Sequence, residues 1–224
     1  MKTIILLLIS ITLTLAVNSC KPDDKADMEW PIPQELLDYF SFKTSSMWVY
    51  ENDKTGDKDT ITITDNTLVW SNWQEGERFQ QANVYYKSSL DGYTYRYYSN
   101  TFGSSNCIKM KGSGSPCYSL HCSKYKPGNY IGENVMFQFF FKLNNWGFAD
   151  NRGSTSKFEI KEIHDSLTIA GTLYKSVAKV FISDCFTQED KDMNFYWTKD
   201  YGIARKENIT DNETWNLIYS NIVK

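Results

Sequence analysis

From Met47 onward the chain alternates apolar and polar residues with a period of two, in short runs separated by turn-forming residues. This feature limits the fold more than any other. Successive side chains of a strand point to opposite faces, so each run buries one face and must pair along both edges. MWVYEN, DTITITD and TLVWSNW read as successive strands, with Lys54-Thr55-Gly56-Asp57 as the turn between the first two. In NVYYKSSLDGYTYRYYS, Asp91-Gly92 is a hairpin signal, because a type I′ turn needs positive φ at both central positions. Beyond it, Tyr93, Tyr95 and Tyr97 share one face, and Thr94, Arg96 and Tyr98 the other. VMFQFFFKL is apolar enough to be buried on both faces. KFEIKEIHDSLTIAGTLYKSVAKVFIS reads as two or three meandering strands, and NFYWTKD, GIARKE and TWNLIYSNIV finish the chain. The count is about eleven or twelve short strands, with little helix. It predicts an all-β antiparallel meander that forms a half-open barrel or sandwich. The one expected helix is Gln34 to Phe40, which follows a proline and carries Leu36, Leu37 and Phe40 at helical spacing. Residues 100–130 are rich in Ser, Gly, Cys and Asn and form the largest irregular region.

The N terminus has a different character. Lys2 precedes a charge-free apolar run from Ile4 to Val17. A helix of that length rises about 21 Å, short of the roughly 30 Å hydrocarbon core, which fits a signal-peptide core and not a membrane span. The run ends Ala16-Val17-Asn18-Ser19-Cys20, which resembles a bacterial lipobox. The resemblance implies cleavage before Cys20 and its modification by acyl chains, an effectively permanent anchor when several chains are attached. The expected division is a signal peptide at 1–19, a flexible acidic tether at 20–33 closed by Pro31-Ile32-Pro33, and one β-rich domain at 34–224. The stretch Lys21-Pro22-Asp23-Asp24-Lys25-Ala26-Asp27 resembles the surface-export signal of Bacteroidota lipoproteins, implying an outer-membrane, cell-surface location.

The chain from Cys20 onward is long enough for one sizeable core. Loss of Lys2 takes the formal charge from −3 to −4, so nucleic acid is not an expected partner. Four cysteines remain after Cys20: Cys107, Cys117, Cys122 and Cys185. In an oxidising compartment they predict two disulfides, with three connectivities open. Cys107, Cys117, His121 and Cys122 also offer four metal ligands, but their spacing is not a zinc pattern, and no metal is expected.

A wider resemblance rests on FKTSSMWVYENDKTGDKDTITI, LYKSVAKV and FYWTKDYGIARKENITDNETWNLI. These are similar to a group of uncharacterised Bacteroidota outer-membrane lipoproteins with an early W-x-Y strand, a late Y-x-x-x-x-G-[IV]-x-[RK] hairpin and a W-x-L strand. The resemblance implies a lipocalin-like β domain in which Trp48, Tyr50, Trp197, Gly202 and Trp215 are core or turn residues, and it brings no activity with it.

Signals of catalysis are weak. Only His121 and His164 are available as imidazole bases, and His164-Asp165-Ser166 cannot form a triad, because neighbours on a strand face opposite ways. Asp190-Lys191-Asp192-Met193-Asn194 opens like a calcium loop but places Phe195 where Gly is required and Tyr201 where Glu is required. The Tyr93, Tyr95 and Tyr97 stripe offers either a platform for sugar rings or a face of the core. Asp59-Thr60-Ile61 and Asp165-Ser166-Leu167 match the Bacteroidota O-glycan acceptor pattern, which makes Thr60 and Ser166 candidate modification sites. The expected role is a non-catalytic binding or accessory module without a cofactor. Its partners would be the membrane through the anchor and a glycan or an envelope protein. The competing readings are a structural subunit of an envelope complex and a surface glycan-processing enzyme.

Overall fold

The computed structural model describes residues 28–74, 77–100, 118–126, 129–139, 143–144, 146–148 and 156–223. In chain order these form β1 (Met28–Trp30), α1 (Gln34–Phe40), β2 (Met47–Asn52), β3 (Lys58–Gln74), β4 (Glu77–Ser88), β5 (Thr94–Asn100), β6 (Tyr118–Lys126) and β7 (Asn129–Phe139). They continue with β8 (Trp146–Phe148), β9 (Lys157–Ile169), β10 (Thr172–Cys185), a 3₁₀ turn (Phe186–Gln188), β11 (Lys191–Thr198), β12 (Gly202–Asn208) and β13 (Glu213–Asn221). The all-β reading holds, and the helix falls where its apolar spacing placed it.

The strands form one sheet in the order β7-β6-β5-β4-β3-β2-β13-β12-β11-β10-β9-β8. All neighbours along this path are consecutive in sequence except β2 and β13, which join the two ends of the domain. The sheet is a meander curled into a nearly closed barrel. Its gap lies where β7 approaches β9 and β10 with no ladder to them among the described residues. Across the interior, the 3₁₀ turn reaches β6 and β7: Lys124 Nζ donates to the Thr187 carbonyl, and the Thr187 N–H donates to Asn134 Oδ1 at 2.9 Å.

Four expectations are corrected. Residues 118–126 and 129–130, read as part of an irregular region, belong to β6 and β7. DTITITD and TLVWSNW are one strand, β3, continuous through a register shift between Ile63 and Asp65. Asp91-Gly92 is not a type I′ turn, since neither residue has positive φ. Asp91 instead accepts the Tyr93 N–H at 3.0 Å and the Tyr95 hydroxyl at 2.7 Å, holding a longer loop between Ser88 and Thr94. The two-residue hairpin with positive φ at both positions is Ala170-Gly171, at 47° and 82°, joining β9 to β10. The folded body also begins earlier than residue 34. β1 pairs with Glu77–Phe79 of β4, Ile32 is buried, and the Pro31 carbonyl accepts the Tyr118 hydroxyl.

Helix α1 closes one end of the barrel. Leu36, Tyr39 and Phe40 are buried. The Tyr39 hydroxyl donates to the Ser176 carbonyl of β10, and the Asp38 carbonyl accepts the Asp200 N–H at the β11–β12 turn. Gly202 has φ of 75°, a conformation that favours glycine, and it packs against the Phe42 ring. The opposite end carries the β2–β3 turn, the β4–β5 loop and the β12–β13 turn.

Candidate functional site

Every second residue of the barrel wall faces inward, and these residues enclose a cavity of about 230 Å³. Its floor is Tyr39, Phe40, Phe42 and Gly202 under α1, and its walls are largely aromatic. Tyr86 stacks on Tyr95 and on Tyr97, with centroids 5.0 and 4.9 Å apart, and Trp197 meets Tyr97 and Phe137 edge-on. Burial raises the Tyr86, Tyr95 and Tyr97 phenols well above their ordinary value, so they remain neutral hydrogen-bonding groups.

Polar groups gather at the mouth, away from α1. Lys206 Nζ lies 3.4 Å from Asp59 Oδ2 and 4.5 Å from the centre of the Tyr50 ring. Asp59 also accepts the Ser88 hydroxyl at 2.7 Å, and Tyr50 donates to the Ile203 carbonyl at 2.6 Å. Burial draws the Lys206 ammonium below its usual range, and the Asp59 carboxylate opposes that shift. Asp91, Glu213, Gln188 and Asn208 complete the rim.

Lys206 reaches the interior through a bulge. Trp197 pairs with Ile203 and Tyr196 with Arg205, which leaves Ala204 without a partner. The alternation of β12 slips by one residue there, so that both Ile203 and Lys206 line the cavity. Strict period two from Ile203 would have sent Lys206 outward.

One buried donor in the cavity wall is unsatisfied, and its nitrogen is closed off from the void. Trp197 is 1 % exposed, and among the described residues its indole N–H has no hydrogen-bond partner. Such a group is uncommon in a native interior.

The singled-out residues divide clearly. Tyr95 and Tyr97 line the cavity, so the tyrosine stripe faces inward and does not form an exposed platform. Tyr93 is half-buried and packs beneath Lys124, whose Nζ is 4.2 Å from its ring centre. Trp48, Tyr50, Trp197 and Trp215, expected to be core or turn residues, are also cavity wall. Asp59, of the Asp59-Thr60 acceptor pattern, is buried and paired with Lys206, whereas Asp165 and Ser166 are both exposed on β9. Cys20 lies outside the described residues.

The two-disulfide expectation fails for two of its members. Cys122 and Cys185 are buried free thiols. Each is already engaged, Cys122 with the Tyr86 hydroxyl at 3.6 Å, and Cys185 with Asn134 Oδ1 at 3.7 Å and Thr187 Oγ1 at 3.5 Å. Burial pushes their thiols up to about 12 and about 11, away from reactivity. Cys107 and Cys117 lie outside the described residues. His121 and Cys122 are adjacent on β6 and face opposite sides of the wall, so they cannot share a metal. Among the described residues no group of three or more His, Cys, Asp or Glu side chains is placed to hold an ion.

On the outer face of β5, β6 and β7 lies a second polar cluster that sequence reasoning missed. Ser119 Oγ is 2.8 Å from His121 Nε2, and His121 Nδ1 is 4.0 Å from Glu133 Oε1. Glu133 Oε2 accepts the Tyr98 hydroxyl at 2.6 Å, and Tyr98 stacks on His121. The residue types match a hydrolytic triad, but the geometry does not. The His–Glu separation exceeds a hydrogen bond, and Ser119, the second residue of β6, is paired with both Asn100 and Gln138. Its flanking amides therefore serve the ladders and are not available as an oxyanion hole.

No family model matches the chain, and no curated protein or solved structure matches it either.

Proposed function

We propose that the protein is a lipid-anchored envelope protein of the bacterial outer membrane whose barrel is a non-catalytic cup for a small ligand. The observation that carries this reading is the aromatic cavity, closed by α1 at one end and rimmed by polar side chains at the other. β1 joins the start of β4, and Ser88 at the end of β4 is on the rim, about 36 Å further along the strand at ~3.3 Å per residue. A chain anchored through Cys20 would therefore enter the barrel at the end opposite its mouth. Small-molecule sites are commonly aromatic-lined concavities of this type with a few placed polar groups. An enclosed cavity favours a single small molecule over a long glycan chain, and among glycans it favours one sugar ring.

Membrane fractionation tests the anchor. Wild type is expected in the membrane fraction after salt and carbonate washing and Cys20→Ala in the soluble one; retention of the Ala variant overturns the anchor. Intact mass from the native host tests modification, with added glycan mass expected to vanish in Ser166→Ala. The cup is tested by a small-molecule thermal-shift screen, in which stabilisation must be lost when the cavity is filled by Val84→Phe.

A specific observation favours a second reading, a structural subunit of an envelope complex. The β3–β4 hairpin extends past the barrel at the α1 end and exposes Leu68, Val69 and Trp70. Cross-linking that captures one defined envelope protein through Trp70, with no small molecule stabilising the fold, would make this the better account.

A further inference from the structure

The cavity's own chemistry narrows its ligand, an inference that rests on the cup reading. We propose that it takes a small, single-ring molecule that is uncharged or cationic at its outer end. Size sets the first limit. About 230 Å³ lies below the ~300–1,000 Å³ of sites for drug-sized ligands and above the ~150 Å³ that holds benzene. One ring with a short arm fills it.

The walls set the second. Tyr86, Tyr95, Tyr97 and Trp215 present ring faces and edges that suit an aromatic or saturated ring, and they also attract cations. The rim sets the third. Asp59, Asp91 and Glu213 give three carboxylates against the single ammonium of Lys206. Asp59 and Lys206 neutralise each other at 3.4 Å, leaving Asp91 and Glu213 as the excess charge. Lys124, buried over the Tyr93 ring with its Nζ 5.7 Å from the centre of the Tyr95 ring and bonded to the neutral Thr187 carbonyl, offsets one of these two and leaves one carboxylate in excess. An anionic headgroup at this mouth would meet like charge, whereas an ammonium would meet opposite charge beside aromatic rings.

A matched set of probes tests each part by calorimetry on the detergent-solubilised protein: tyramine, its neutral alcohol analogue tyrosol, 4-hydroxyphenylpropionate and phenethylamine. Tyramine and tyrosol are expected to bind, and the carboxylate at least tenfold more weakly than tyramine. Glu213→Gln, at the rim and away from the packed wall, should narrow the gap between tyramine and the carboxylate. Tightest binding by the carboxylate overturns this inference and leaves the cup standing. Failure of all four probes to bind overturns the inference, and the cup reading then stands or falls on the thermal-shift screen.

Discussion

The barrel wall carries a buried ionisable cluster on each of its faces, and the two behave differently. On the inner face, Lys206 and Asp59 form an ion pair beside open space, with an aromatic ring under the ammonium. On the outer face, His121 is held between the Tyr98 ring and Ser119, and burial lowers its imidazole to about 4 against the opposing influence of Glu133. A buried group with a close counter-charge keeps its charge, whereas one without a hydrogen-bonded counter-charge is driven neutral. Open space beside the inner pair makes it a recognition feature; the outer cluster fills its own space and reads as structure.

Removing one inner charge tests that contrast most severely. Asp59→Ala leaves Lys206 largely buried without its partner and should cost about 3–5 kcal/mol in urea unfolding. The double variant Asp59→Leu with Lys206→Met should recover most of that loss. If the double variant is as unstable as the single one, packing and not charge accounts for the effect.

The outer face should respond to pH. The folded pKa of His121 lies below its unfolded value of about 6.5, so the unfolded chain binds the extra proton between those values. Its contribution is therefore fully present above about pH 6.5 and is lost as pH falls toward 4. Urea midpoints across that range should decline in wild type and decline less in His121→Gln, and identical slopes would mean that the imidazole is not held neutral.

Tyr98→Phe removes the hydroxyl donated to Glu133 and should cost about 1 kcal/mol. Ser119→Ala should cost less, about 0.5 kcal/mol, because one neutral hydrogen bond is lost and the ladder remains. Neither should alter ligand binding in the cavity. If Ser119→Ala abolished turnover of any ester or amide, the outer cluster would be a catalytic site and the contrast would be reversed.

Much of the architecture is legible along the chain. Met47–Asn52 has the alternating burial its pattern implies, and Gln34–Phe40 is helical because Leu36 and Phe40 recur at the right spacing after a proline. Local turn chemistry is less dependable. Asp91-Gly92 matches a type I′ dipeptide, but Asp91 gains two side-chain hydrogen bonds in a longer loop, and Ala170-Gly171 takes the tight turn. The cysteines mislead because compartment chemistry predicts disulfides, whereas the positions of Cys122 and Cys185 give each sulfur another partner.

The cavity was half legible. Tyr95, Tyr97, Trp48 and Trp197 drew attention through composition and spacing, yet whether such residues fill a core or line a void depends on how far apart the walls stand. Ser119, His121 and Glu133 come together only because β6 pairs with β7. By itself, the sequence determined the all-β class, the short helix and the placing of Tyr93, Tyr95 and Tyr97 on one face, because period and propensity act over a few residues. Only the tertiary structure decided that α1 closes one end and that β2 meets β13. It also decided that a bulge at Ala204 turns Lys206 toward Asp59, since a one-residue slip in register is set by the paired strand and leaves no mark in the alternation of β12 itself.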